Sequence, residues 1–131
     1  MSEDNATLAN LADRLRAAMD AADMDAIGEL LDPNVTWGPP DDYLSGCHNR
    51  SEVLAWWGRS AQRGVRARVT EVVIGADKLL VGFKVIDSEA AAEPAGEADR
   101  WQVVSVRSGK VSDIRGFDDR VVAATRAGVS G

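Results

Sequence analysis

The sequence predicts an α+β domain in which helices cover one face of a curved sheet, and three observations carry that prediction. Apolar residues recur at helical spacing through the first half of the chain. Beyond Gly64 they recur at every second residue, and short glycine-containing turns separate the later runs. The 131 residues suit a single domain with one core, which should bury roughly two thirds of the surface its unfolded chain exposes.

Leu8, Leu11, Leu15, Ala18 and Ala22, flanked by Ala12 and Met19, predict a long amphipathic first helix with Asn5 as its cap. Asp23 is placed to cap a short second helix that buries Ile27, Leu30 and Leu31. That helix must end near Asp32, because Pro33 disfavours helical geometry in the residue before it. Asn34 to Trp37 read as a brief strand and "GPPDDYLSG" as an irregular loop. In "NRSEVLAWWGRSAQRG", Asn49 and Glu52 have the spacing of a capping box, Val53, Leu54, Trp57 and Ala61 form an apolar stripe, and Gly64 is placed to end the helix. Four period-two runs follow as an antiparallel meander: Val65 to Ile74, Lys78 to Asp87, Arg100 to Arg107 and Lys110 to Phe117, with "GADK" and "RSGK" as tight turns. The acidic connection 88–98 is longer than a hairpin needs and is expected to be mobile. Residues 118–131 form a C-terminal extension holding one short helix, so residues 1–131 make one domain.

Charge and composition exclude several classes of function. The formal net charge is −6, concentrated in three acidic stretches, and no basic stripe offers a footprint for a phosphate backbone. Nucleic acid is therefore not an expected partner. No window reaches the apolar length of a membrane span, and the acidic N-terminus is unlike a secretory signal. With Cys47 the only cysteine, no intrachain disulfide can form, and the expected compartment is the reducing cytoplasm. One His and one Cys cannot build a zinc site of the usual ligand types, and no phosphate loop, dinucleotide glycine motif or nucleophile elbow occurs, so neither metal nor cofactor is expected. Arg59, Arg63, Arg66 and Arg68 are the only local basic cluster. They could meet a carboxylate or phosphate, and the plainer reading is a solvated face, with Arg59 and Arg63 complementing the C-terminal end of their helix.

The order of elements, together with "AAMDAADMDAIGELLDPNVTW", "HNRSEVLAWW" and "VRSGKVSDIRGFDDR" running into "AATRAG", resembles the SnoaL-like branch of the nuclear transport factor 2-like superfamily over nearly the whole chain. The resemblance implies a cone: a strongly curved mixed or antiparallel sheet wrapped around the N-terminal helices and enclosing a mostly apolar pocket. It also implies a range of activities, since ketosteroid isomerases, polyketide cyclases and epoxide hydrolases share the fold, as do proteins without catalysis. Fold alone does not choose among them.

Period-two geometry places Ser112, Ile114, Gly116 and Asp118 on one face of the last strand and Asp113, Arg115 and Phe117 on the other. Alignment by "GKV" makes the first set face the pocket. Asp118 then reads either as a helix cap or as a carboxylate at the mouth of the cone. The resembled cyclases and epoxide hydrolases keep an aspartate at the position of Gly116. The isomerases keep their base at the position of Gly38 and an oxyanion-hole tyrosine at that of Leu15, while their second donor maps to Gln102. The usual family acids are thus absent. His48 is the one side chain that titrates near neutrality, and a His48 and Asp118 pair is the expected catalytic candidate, with an exposed loop histidine as the plainer reading.

Trp37 and Tyr43 flank the irregular loop and are the preferred ligand contacts, joined by Trp57, Phe83, Gln102, Ile114 and Gly116 as pocket wall. A one-residue slip of register would turn Trp37 to the other face. The expected ligand is a small, largely apolar or polycyclic molecule, subject either to proton transfer, cyclisation or hydrolysis or to binding without chemistry. A third possibility is an interaction module without a ligand. Trp101, Val103 and Leu80 point away from the cone and predict a homodimer through the outer face of the sheet.

Overall fold

The computed structural model describes residues 5–21, 23–38, 46–62, 64, 66–75, 78–86 and 97–129. In chain order the elements are α1 (Asn5–Asp20), α2 (Met24–Leu30), β1 (Leu31–Gly38), α3 (Arg50–Gln62), β2 (Arg66–Ile74), β3 (Lys78–Ile86), β4 (Glu97–Arg107), β5 (Lys110–Phe117) and α4 (Arg120–Ala127). The expected cap Asn5 lies within α1. Of the expected mobile connection 88–98, only Glu97 and Ala98 are described, and they already belong to β4. Ala22, Arg63 and the "PPDDYLS" segment with Tyr43 fall outside the described residues.

The helix starts follow local chemistry. Asp23 caps α2, its side chain accepting from the Ala26 N–H at 3.1 Å. At α3, Asn49 Oδ1 accepts from the Glu52 N–H at 2.9 Å. Glu52 Oε1 reaches back to the Asn49 side-chain amide at 3.1 Å and the His48 N–H at 3.2 Å, closing the predicted capping box. The turn between β4 and β5 places Ser108 and Gly109 at φ of 54° and 76°, two successive left-handed residues that suit a tight hairpin.

The sheet is one five-stranded layer in the order β1-β5-β4-β3-β2. The meander β2 to β5 is antiparallel as expected, and β1 runs parallel to β5, so the sheet is the mixed one of the two forms expected. A parallel pair needs a long crossover, here supplied by α3 and the first three meander strands. β1 is also longer than the expected Asn34 to Trp37. The last turn of α2 runs straight into it at Leu31, and its register against β5 shifts between Leu31 and Thr36 around Pro33.

Two apolar layers result. On the inner face Leu8, Leu11 and Leu15 of α1, Ile27 and Leu30 of α2 and Val53 of α3 pack on Val69, Leu79, Val81, Val104, Val111 and Ile114. Simple alternation puts Val111 outward, yet it is fully buried in this inner core. Ser112 is an extra residue in β5 opposite the Ser105/Val106 step of β4, so Val111 and Ile114 share a face.

The outer face carries the second layer, which overturns the expectation of helices on one face only. Leu80, Val103 and Phe117 are buried under Ala123, Ala124 and Ala127 of α4, with Trp101 packed beside them. The patch expected to form a homodimer is therefore covered by the chain's own last helix. Three small alanines let α4 sit close to the strands, and Gly128 in the left-handed region ends the helix. A tether fixes its start. Arg120 Nε donates to Glu71 Oε1 at 2.7 Å, and Trp101 Nε1 donates to the same oxygen at 3.3 Å. Gly82 makes room for this arrangement, since a Cβ there would lie 2.8 Å from Glu71 Cγ and 3.0 Å from Trp101 Nε1.

Two predictions follow from this layer. Ala123→Asp forces a carboxylate onto Leu80 and Val103 and should cost about 2–4 kcal/mol in urea denaturation; an unchanged midpoint would show that α4 does not hold the outer face. The Arg120 hydrogen bond holds the Glu71 carboxyl below its ordinary value of 4.5. A lowered carboxylate contributes stability above the unfolded value and loses it as pH falls through the folded value. The melting-temperature gap between wild type and Glu71→Gln should therefore narrow between about pH 6 and about pH 3.

Candidate functional site

The mouth of the curved sheet is built around Trp37. β1 ends there, and its backbone is clamped to the returning chain: the Trp37 N–H donates to the Cys47 carbonyl at 2.9 Å and the Cys47 N–H to the Trp37 carbonyl at 2.8 Å. Gly46 is required for this return. Its φ is 91°, and a Cβ would lie 2.1 Å from the Trp37 carbonyl oxygen. The Trp37 ring joins the inner layer and meets two rings of α3, Trp56 at 5.5 Å and Trp57 at 6.2 Å between centroids, the latter edge-on. Both distances fall in the favourable range for aromatic pairs.

Among the described residues, two open clefts adjoin this cluster. One, of about 700 Å³, lies between the end of β1 and α3 and is lined by Gly38, Cys47, Glu52 and Arg59. The other, of about 780 Å³, lies between β3 to β5 and the start of α4. Its wall includes Phe83, Gln102, Asp118, Arg100 and Arg126. Trp37, Trp56 and Gly116 line both.

Of the residues the sequence singled out, Trp37, Phe83, Gln102, Gly116 and Asp118 meet in the second cleft. Trp57 and Ile114 do not line either cleft; they pack in the inner core, Ile114 at 2% exposure. His48 is exposed, engages Glu52 through its backbone N–H and lines neither cleft, whereas Asp118 lines the second. Tyr43 lies outside the described residues.

The cap of α4 is Asp119, whose Oδ1 accepts from the N–H groups of Val121 at 2.8 Å and Val122 at 3.2 Å. This corrects the reading of Asp118 as the cap. One residue earlier, Asp118 is exposed at the cleft wall. Gln102 is 6% exposed and stands on β4 directly opposite Gly116, so its amide and the bare backbone of Gly116 form adjoining parts of the wall. The Asp113 and Arg115 pair belongs to the other face, as expected. Arg115 Nη2 meets Asp113 Oδ1 at 2.8 Å, and Thr36 Oγ1 donates to the same carboxylate, tying β5 to β1.

Sequence reasoning counted Trp56 among the aromatics on the elements that wall the cone but not among the ligand contacts. It lies off the buried stripe of α3 at 44% exposure, and a large aromatic off that stripe was the available signal. Arg100 and Arg126 were missed as wall residues, and Arg59 was read mainly as a solvated face, because only the tertiary arrangement brings them to the mouth. Cys47 is a poor nucleophile there: burial raises its thiol above the ordinary value, Glu52 adds to the shift, and Arg59 only partly opposes it. Among the described residues, no three His, Cys, Asp or Glu side chains group as a metal site, and no helix is long and apolar enough to cross a membrane.

Solved structures share this architecture. A proposed ketosteroid isomerase from Kribbella flavida aligns with a TM-score of 0.69 at 14% identity, over 86% of this chain and 77% of that one. A proposed polyketide cyclase from Sinorhizobium meliloti aligns at 0.65 and 18% identity, over 85% and 98%. TerC, crystallised with polyporic acid, aligns at 0.65 and 17% identity, over 88% and 94%. At such identities the likeness is one of fold. No curated protein matches the chain by sequence. Residues 12–114, from α1 into β5, match the SnoaL-like domain, and the chain belongs to that family.

Proposed function

We propose that this protein binds a small, largely apolar planar molecule at the mouth of the sheet, against Trp37, Trp56 and Phe83, with Gln102 and Asp118 as polar contacts. The observation that carries the reading is the Trp37 and Trp56 pair, which lines both clefts while Trp56 remains 44% exposed. An indole half in water and half against another ring offers a stacking surface that the fold itself leaves unused. Cleft volumes of this size suit small organic ligands. The crystallisation of TerC with polyporic acid supports small-molecule binding by this fold.

At the positions the resemblance assigns to the enzymes' acids stand Gly38 and Gly116, both lining the first cleft, and neither can move a proton. Three carboxylates line the clefts among the described residues. Glu52 and Asp119 serve as helix caps, which leaves Asp118 as the candidate for proton transfer. Binding without catalysis is the second reading, favoured by those same glycines.

Titration of intrinsic tryptophan fluorescence with planar aromatic compounds tests the proposal. Trp56→Ala should weaken binding about 3–10-fold, the equivalent of an aromatic pair worth about 0.5–1.5 kcal/mol; equal affinity in this variant would remove the cleft from consideration. Where a bound compound is turned over, Asp118→Asn should slow it by about 10²–10⁴-fold and His48→Asn should not. A protein that binds but shows no turnover sensitive to Asp118 is the non-catalytic binder.

A further inference from the structure

Glu71 lines neither cleft, yet several features of the chain serve to place its carboxylate. Val69 and Val72 join the inner layer and Val73 the outer one, and the register of β2 against β3 shifts between Val69 and Glu71. Thr70 is the extra residue. Strict alternation from Val69 would aim Glu71 into the inner core, and the bulge turns it to the outer face instead. At this shift the Val69 N–H donates to Asp20 Oδ1 of α1 at 2.9 Å. Pairing then sets Glu71, Gly82, Trp101 and Phe117 in one row across four strands. Because Gly82 has no side chain, the Glu71 carboxylate and the Trp101 indole meet over β3.

That carboxylate holds two parts of the second cleft at once. It accepts from Nε1 of Trp101, and Trp101 lines the cleft. It also accepts from two nitrogens of Arg120, Nε at 2.7 Å and Nη2 at 3.3 Å, a forked contact that fixes direction as well as distance. Arg120 opens α4, and the same cleft is lined by Asp118 and Asp119 just before it and by Val122 and Arg126 just after it. At the far end of the row Phe117 is buried under α4, so Asp118 is strung between a buried ring and a held guanidinium. We propose that Glu71 is the positioning residue of this cleft: without lining it, Glu71 holds Trp101 and Arg120 and so sets the wall that carries Asp118 and Val122. Its bearing on function rests on the binding reading above.

Two-dimensional NMR of the intact protein at neutral pH tests the assignment. Glu71→Ala should move the Trp101 indole resonance and the backbone amides of Asp118 and Val122. Gly82→Ala keeps the charge but pushes the carboxylate and the indole apart, and should move the same three. Glu71→Gln keeps an acceptor for the indole and loses the charge that holds Arg120, so it should move Asp118 and Val122 and leave the indole near its wild-type position. Ile27→Val, which lowers stability from within the inner core, should move none of them. With 2-naphthol as the probe, well below the melting temperature, affinity should fall about threefold or more in Glu71→Ala and Gly82→Ala and stay within about twofold in Ile27→Val. Arg120→Ala added to Glu71→Ala should bring little further loss, as expected for partners in one contact. Shifts confined to β2 and β3, or unchanged affinity in Glu71→Ala and Gly82→Ala, would overturn the assignment while leaving the binding reading intact. If 2-naphthol does not bind the wild type, it is the binding reading that fails, and the shifts at Asp118 and Val122 alone uphold or overturn the role of Glu71.

Discussion

Strand β5 is hydrogen-bonded along both edges, parallel to β1 and antiparallel to β4, and the rest of the molecule depends on that double pairing. Its residues serve every layer. Val111 and Ile114 enter the inner core, Phe117 the outer one, and Asp113 with Arg115 ties the strand to Thr36 of β1. The extra residue at Ser112 makes this possible, because it lets the strand turn two apolar side chains inward before normal alternation resumes. A strand paired on both sides cannot slip by one residue without reversing all these assignments together.

The second consequence of that pairing is the mouth. Parallel alignment brings Trp37 level with Ile114 and Gly38 level with Arg115, so the end of β1 lies beside Gly116. The returning chain clamps Trp37 through Cys47, and α3 contributes two more tryptophans. Trp57 is absorbed into the core, and Trp56 remains at the edge with an open face. One cluster thus seals the inner layer and supplies the wall of the cleft.

Helix starts shape the chemistry of the rim. Glu52 closes the α3 capping box and Asp119 caps α4, so two carboxylates near the clefts are already hydrogen-bonded to N–H groups. Among the described residues, the walls also carry the guanidinium groups of Arg59, Arg100 and Arg126, the last over the Phe117 ring, with the carboxylate of Asp118 and the Gln102 amide. The buried, raised thiol of Cys47 adds little reactivity.

By itself the sequence determined the elements, their periods, the α3 capping box, the Asp23 cap and the faces of Gln102, Phe83 and Ile114, because these depend on neighbours within a few residues or on strict alternation. The SnoaL-like family was legible from the order of those elements and the motifs they carry. Tertiary structure alone decided the rest. Parallel pairing of β1 with β5, the bulge at Ser112 and the docking of α4 on the outer face all join residues far apart in the chain, where local spacing carries no information. The same reason governs the site. Whether Asp118 or Asp119 caps α4 turns on one residue of backbone direction, and whether Leu80, Val103 and Trp101 face a second subunit or the chain's own last helix turns on where that helix packs. Trp56 and Arg100, unremarkable on their own elements, become walls of one cleft only when β4, β5 and α3 converge.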